Sequence, residues 1–172
     1  MEMEIRKGTD ADLEDFIHLL HLVWERMEQK EWFYLDPPDV IRSLMKENIL
    51  EIWVAMDDGH LAGALSILHP GLSEFNYGYD LGYDEERLLN VVCMDSAAVH
   101  PDYRGMGLQK RLLERAEQEL CLDGEKFLLC TIHPENTFSL NNALKQGYEI
   151  QKTMDKYGSV RHLLCKKIFG KT

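Results

Sequence analysis

Apolar residues recurring three and four positions apart at Leu13, Phe16, Ile17, Leu20 and Val23 predict a core-facing helix near the start of the chain. Thr9 is placed to cap it, with Asp10 and Asp12 near the positive end of its dipole. Met1 to Lys7 reads as a short strand ahead of it. The helical pattern continues through WERMEQKEWFYLDPPD to a break at Pro37-Pro38, and DVIRSLMKEN predicts a second, shorter helix. The run ILEIWVAMDDGHLAGALSIL holds two apolar segments around Asp58-Gly59, the pattern of an antiparallel hairpin. HPGLSEFNYGYDLGYDEERLL, rich in Gly, Tyr and acids, reads as a long loop of the functional or mobile kind. NVVCMDSAAVH is a strand ending at Pro101. The helix that follows carries Leu108, Leu112, Leu113, Ala116 and Leu120 on one stripe. KFLLCTI is a buried strand, PENTFSLNNALKQG a helix stopped by Gly147, and the remainder two strands around a turn at Gly158. The order β, two helices, then β, β, β, α, β, α, β, β is that of an α/β chain built on a mixed sheet.

Composition narrows the function. A chain of 172 residues, 45% hydrophobic and 28% charged, without repeats or low-complexity runs, fits one domain spanning 1–172. A net charge of −11 argues against nucleic acid, whose binding rests on Lys and Arg, and favours cationic small molecules or basic peptides. Cys93, Cys121, Cys130 and Cys165 form no C-x-x-C pair, so neither a zinc ribbon nor a disulfide framework is expected and a reducing cytoplasm is the simplest setting. The first ten residues are charged, and no stretch has the apolar length of a membrane helix, so no membrane partner is expected.

The chemistry concentrates in VHPDYRGMGLQKRLL, where a strand runs into Arg104-Gly105-Met106-Gly107-Leu108-Gln109-Lys110 and then into a helix. A P-loop needs Ser or Thr after the lysine, and a dinucleotide fold needs a third glycine where Lys110 stands. Both fail on the residues. A third arrangement needs only backbone N–H groups from Gly105 to Lys110 converging on a pyrophosphate at the positive end of the helix. Its rival is a plain helix start that happens to carry glycines, although each glycine inside a helix costs roughly 1 kcal/mol relative to alanine.

The same stretch resembles the acetyl-coenzyme A loop of the GNAT superfamily of N-acetyltransferases, Q/R-x-x-G-x-G/A after a strand ending in V-x-P-x-Y-R-G. Arg104 and Gly107 match its first two fixed positions, while Gln109 stands where its last small residue is usual. Further segments are similar in the right order: EIRKGTDADLEDFIHLL to the family's opening strand and helix, VAMDDGHLAGALSI to its hairpin, HPENTFSLNNALKQGYEI to its N-x-x-A…G-F segment, and YGSVRHLLCKKI to its closing strand. Asn136, Ser139 and Gly147-Tyr148 fall on the matching positions. The resemblance implies a central mixed, mostly antiparallel sheet with helices on both faces. It also implies acetyl-CoA as cosubstrate without a metal, and direct attack of a primary amine, from a small molecule or a peptide, on the thioester in a ternary complex. It leaves a homodimer open.

It further implies roles for particular residues. Arg104, Gly105, Met106, Gly107, Leu108, Gln109 and Lys110 would cradle the phosphates, with Asn136 and Ser139 as further cofactor contacts. Ala97 and Val99 would offer strand backbone to the pantetheine arm, the Ala97 N–H polarising the thioester carbonyl. Asp95, which alternation places on a strand face with Ala97 and Val99, is the general-base candidate, directly or through water. The alternative for Asp95 is a plain hydrogen bond to Ser96 or a neighbouring loop. The family's acid is a Tyr seven residues after Asn136, a count that reaches Ala143 here; Tyr157 and Tyr148 are the nearest replacements in sequence. The alternative function is a CoA-binding regulatory or sensor module with weak or no turnover. His18 and His21, spaced like metal ligands, lack a third partner, and Cys130 reads as a buried, inert thiol. His133 and Glu135 flank Pro134 at a strand end, close to where the resemblance would run the cofactor's arm, and Glu135 reads equally as a capping group or a substrate contact.

Overall fold

A computed structural model describes residues 2–170. Seven strands lie in the order β1-β2-β3-β4-β5-β7-β6: β1 (Glu4–Lys7), β2 (Leu50–Asp57), β3 (His60–Leu68), β4 (Val91–Val99), β5 (Lys126–Ile132), β6 (Glu149–Lys156) and β7 (Ser159–Ile168). The ladders β1–β2, β2–β3, β5–β7 and β6–β7 are antiparallel, and β4–β5 is parallel. The mixed, mostly antiparallel sheet expected from the sequence is therefore present. The helices are α1 (Leu13–Arg26), α2 (Pro38–Lys46), α3 (Glu85–Leu88), α4 (Leu108–Leu120) and α5 (Thr137–Lys145).

The residues cluster into two compact units. One holds the chain up to Glu28, Leu35–Leu68 and Asp95–Leu120; the other holds Gln29–Tyr34, His69–Met94 and the chain from Cys121 onward. In the first unit, Ile52, Trp53, Val54 and Ala55 follow one another along β2 and all are buried, so both faces of the sheet are covered there. α1 and α4 pack on β3, and α2 on β2. At Gly63 a Cβ would lie 3.3 Å from the Ala98 carbonyl and 3.5 Å from Leu112 of α4, so a side chain at this position would press on both neighbours. Asp58 and Gly59, with φ of 47° and 82°, form the turn that the sequence pattern predicts. At the start of the first helix the Thr9 N–H donates to Asp12 Oδ2 at 2.8 Å, and a 3₁₀ turn at Asp10–Asp12 leads into α1.

In the second unit, the consecutive pairs Leu128-Leu129 of β5 and Leu163-Leu164 of β7 are fully buried, so both faces of the sheet are covered there too. Two expectations need correcting here. The first helix does not run on towards the prolines. It ends at Arg26, and a 3₁₀ turn at Lys30–Trp32 follows. The competing interaction is Arg161, only 3% exposed, whose guanidinium donates to the carbonyls of Glu31 (2.6 Å), Trp32 (3.1 Å) and Lys156 (3.2 Å). Carbonyls held this way are lost to a helix, and the exposed run Glu28–Glu31 has no apolar side chain to favour another turn. The stretch 69–90 is likewise more organised than a plain loop: it holds a 3₁₀ turn at Tyr77–Leu81 and the single turn of α3. Asn76, 2% exposed, organises it. Its Nδ2 donates to the carbonyls of Gly71 (2.8 Å) and Leu88 (2.9 Å), and its Oδ1 accepts the Gly78 N–H (2.8 Å).

Because the Asn76 amide satisfies three backbone groups at once, Asn76→Ala is expected to cost about 2–3 kcal/mol. The urea midpoint checks this. A variant as stable as wild type would show that the segment is held by something else.

Candidate active site

The candidate cradle is built by the end of β4. His100 donates its N–H to the Ala62 carbonyl (2.8 Å), a 3₁₀ turn spans Pro101–Tyr103, and the Tyr103 hydroxyl donates to Asp57 Oδ2 (2.8 Å). Beyond this anchor the chain turns through left-handed conformations at Gly105 (φ 82°) and Gly107 (φ 68°), which cost an L-residue about 1–2 kcal/mol each. The first bond entering α4 runs from the Arg111 N–H to the Gly107 carbonyl (3.1 Å). The N–H groups of Leu108, Gln109 and Lys110 therefore belong to an open first turn, where the helix dipole favours an anion. The Leu108 side chain is buried, leaving only its backbone available. Gln109 is half-buried, and Arg104, Met106 and Lys110 are exposed. Part of the basic face is already neutralised: Lys110 pairs with Glu114 (3.7 Å), and Arg115 pairs with Glu119 (4.0 Å) and lies over the Trp53 ring (5.2 Å).

Asp95 lies in the same unit, on the strand that feeds the loop. Its Oδ2 accepts from Ser66 Oγ (3.1 Å) and Ser96 Oγ (3.5 Å), while Ser66 Oγ in turn accepts the Ser96 N–H (3.1 Å). Burial pushes the Asp95 carboxyl up to about 6, and the negative charge of Asp36 adds to the rise, against the lowering effect of the two serine hydroxyls. Asp36, half-buried, is itself raised by burial. The hydrogen bond to Ser96 anticipated for Asp95 thus coexists with an electrostatic setting that suits a proton acceptor near neutral pH.

Tyr157 lies in the other unit, at the turn between β6 and β7, in the left-handed region at φ 57°. Such backbone is strained in a non-glycine residue and persists where surrounding contacts hold it. Here its hydroxyl is 2.9 Å from that of Tyr77, and its ring stacks on Tyr34 at 4.6 Å. Lys156 Nζ and the Arg161 guanidinium lie 5.6 and 5.8 Å from its ring centre. Tyr148, the other tyrosine considered, is buried. Asn136 caps α5 by accepting the Ser139 N–H (3.4 Å), and Ala143 is buried in the same helix. His133 Nδ1 accepts the Glu135 N–H (3.1 Å) in the turn ahead of α5, whose cap is Asn136. Burial pushes the Cys130 thiol up to about 12, so it is not a nucleophile near neutral pH. Among the described residues no group of three His, Cys, Asp or Glu could hold a metal, and no helix is long and apolar enough to cross a membrane.

Four residues around these sites escaped sequence reasoning. Ser66 sits inside an apolar strand run, where a lone hydroxyl was the available signal. Asp36 precedes the prolines in a stretch read as helix, and Tyr77 was one of several tyrosines in a stretch read as loop. Arg161 gave no signal, because its partners are backbone carbonyls distant in sequence.

The residues 13–148 match the model of the acetyltransferase (GNAT) family. No curated protein sequence matches the chain significantly. Among solved structures, the chain is similar to yncA, a putative acetyltransferase from Salmonella typhimurium with its cofactor acetyl-CoA (18% identity, covering 100% of this chain and 96% of that one, TM-score 0.69). It is also similar to the ribosomal-protein-S18-alanine N-acetyltransferase from Escherichia coli (15%, 99% and 97%, TM-score 0.73). A third is a phosphinothricin acetyltransferase from Sinorhizobium meliloti in complex with acetyl-CoA (20%, 99% and 90%, TM-score 0.70). At these identities the likeness shows the fold.

A carboxyl raised in the folded chain stabilises it fully below its unfolded value near pH 4, and that contribution is lost as pH rises through about 6. Asp95→Asn, which has no charge to bury, is therefore expected to exceed wild type at pH 7 by up to about 3 kcal/mol, the gap closing towards pH 4. Urea midpoints at the two pH values check this. Equal midpoints at pH 7 would contradict it.

Proposed function

The chain belongs to the GNAT acetyltransferase family, and on that premise we propose that it is an acetyl-CoA-dependent N-acetyltransferase acting on a primary amine of a small molecule or peptide by direct attack in a ternary complex. The observation that carries the reading is the joining, on one continuous stretch, of a carboxyl raised to about 6 at Asp95 with the open first turn of α4 behind Gly105 and Gly107. Acetyl-CoA supplies the acetyl group as a thioester. The N–H groups of Leu108, Gln109 and Lys110, with Gly105, Met106 and Gly107 letting the backbone approach, bind the pyrophosphate, and Arg104 adds charge at the rim. Ala97 and Val99 offer backbone to the pantetheine arm, which is supported by a β4–β5 ladder that engages Val91, Val92 and Cys93 instead. The Asn136 amide and Ser139 at the start of α5 are further cofactor contacts.

An alkyl ammonium must lose a proton before its nitrogen can attack. Asp95, ionised at pH 7, accepts that proton directly or through water. The nitrogen attacks the acetyl carbonyl carbon, the C–S bond breaks as the intermediate collapses, and the thiolate takes a proton from Tyr157, which is restored through water by the second proton that the nitrogen sheds. The strained backbone of Tyr157 and its hydroxyl bond to Tyr77 support a role beyond packing. The whole chain is read as one acetyltransferase domain, supported by a family match that runs through residues of both units. A cytoplasmic setting is supported by four free cysteines. The second reading, a CoA-binding sensor with weak turnover, is favoured by one observation: a buried Ala143 where the family has its acidic tyrosine.

Amine-dependent thiol release from acetyl-CoA across a panel of amines separates the two. Transferase activity is expected to rise with pH through about 6, and Asp95→Asn to lower kcat by roughly 10²–10³ and abolish that limb. Tyr157→Phe is expected to lower kcat with the KM for acetyl-CoA unchanged. Tight CoA binding without amine-dependent release would favour the sensor, and the absence of CoA binding would sink both.

A further inference from the structure

β2 and β3 are joined by two residues, whereas the connection from β3 to its sheet neighbour β4 takes residues 69–90. A connection this long in a compact fold calls for a use. It is not loose: consecutive turns (Ser73 N–H to Pro70 carbonyl, 3.0 Å; Asn76 N–H to Ser73 carbonyl, 3.1 Å) lead to the buried Asn76 amide, which ties residue 71 to residue 88. On this rigid frame Leu72, Phe75, Tyr79 and Leu89 stand 42–56% exposed. The Tyr79 hydroxyl donates to the Leu72 carbonyl (2.6 Å), and Asn76, which follows Phe75, bonds the carbonyl of Leu88, which precedes Leu89, so the backbone that carries the four is tied together. Large apolar side chains held together in water mark an interaction surface.

Charge identifies the partner. The segment carries five carboxylates against one arginine. Asp80 is engaged by Lys156 (2.8 Å), and Asp84 caps α3, whereas Glu74, next to Phe75, and Glu85 and Glu86, in the turn that leads to Leu89, are exposed. We propose that the surface formed by Leu72, Phe75, Tyr79 and Leu89, rimmed by Glu74, Glu85 and Glu86, docks a basic peptide segment that carries apolar side chains between its cations. The apolar groups fill the patch while the cations meet the rim, which excludes acidic partners and speeds encounter at low salt. The surface acts through binding alone and does not depend on acetyl transfer.

The test is fluorescence anisotropy with a labelled peptide of arginine and leucine at helical spacing and a blocked N-terminus. It contains no primary amine, so its binding reads the surface and not the acceptor site. The full-length protein is expected to bind it, to ignore the matching glutamate–leucine peptide, and to lose affinity steeply between 50 and 500 mM salt. Phe75→Ser combined with Leu89→Ser is expected to weaken binding by about tenfold or more. Glu85→Gln with Glu86→Gln, both at exposed positions, is expected to weaken it and flatten the salt dependence even if the apolar variant folds poorly. Binding weaker than millimolar, equal binding of the acidic peptide, or unchanged affinity in the charge variant would overturn the proposal. So would sedimentation showing that the same side chains join two copies of the chain.

Discussion

The candidate site depends on a backbone constraint: two glycines in the left-handed region, set between a strand end and a helix, keep the first turn of α4 open. Gly105 and Gly107 adopt φ values that side chains resist, and the helix makes its first bond only at Arg111. An open turn of this kind is a concentration of unpaired donors at the positive end of a dipole, and it persists because its surroundings are fixed. Leu108 is buried at the start of the helix, and Tyr103 is tied to Asp57 just before the glycines. The charges on the outer face of α4 contribute less, since Lys110 and Arg115 already have carboxylate neighbours. The donors, rather than the lysine and arginines, carry the proposal that phosphates bind here.

The strand that leads to this turn also carries a carboxyl whose acidity is weakened. Asp95 receives two serine hydroxyls and no cation, and the nearby charge is another carboxylate, Asp36. Burial without a counter-charge is costly for an anion, so the native chain holds the proton more tightly than the unfolded one. A group in that position gives up stability at neutral pH and gains the capacity to accept a proton there.

The parts of the fold that were legible in the sequence are those governed by local rules. Periodicity located α1 and α4, the Asp58-Gly59 pair fixed a turn whose conformation few other residues adopt, and the two apolar runs on either side of it marked β2 and β3. What was not legible rests on long-range hydrogen bonding. The 3₁₀ turn that follows α1 is held by Arg161, more than a hundred residues away, and the order in residues 69–90 rests on one buried amide. In the candidate site, the glycine turn could be read directly because left-handed backbone favours glycine, whereas Asp95 was singled out through the family resemblance. Ser66 and Asp36 could not, because their importance comes from the partner that the fold brings to them.

The central claim is that the open turn of α4 binds the pyrophosphate of acetyl-CoA while Asp95 faces the thioester from the acceptor side. A crystal structure of the chain with acetyl-CoA tests both halves together. The account predicts pyrophosphate oxygens within hydrogen-bonding distance of the N–H groups of residues 108–110, and the Asp95 carboxylate within one water of the acetyl carbon. Pyrophosphate bound away from this turn, or an acetyl group with Asp95 out of reach, would contradict it.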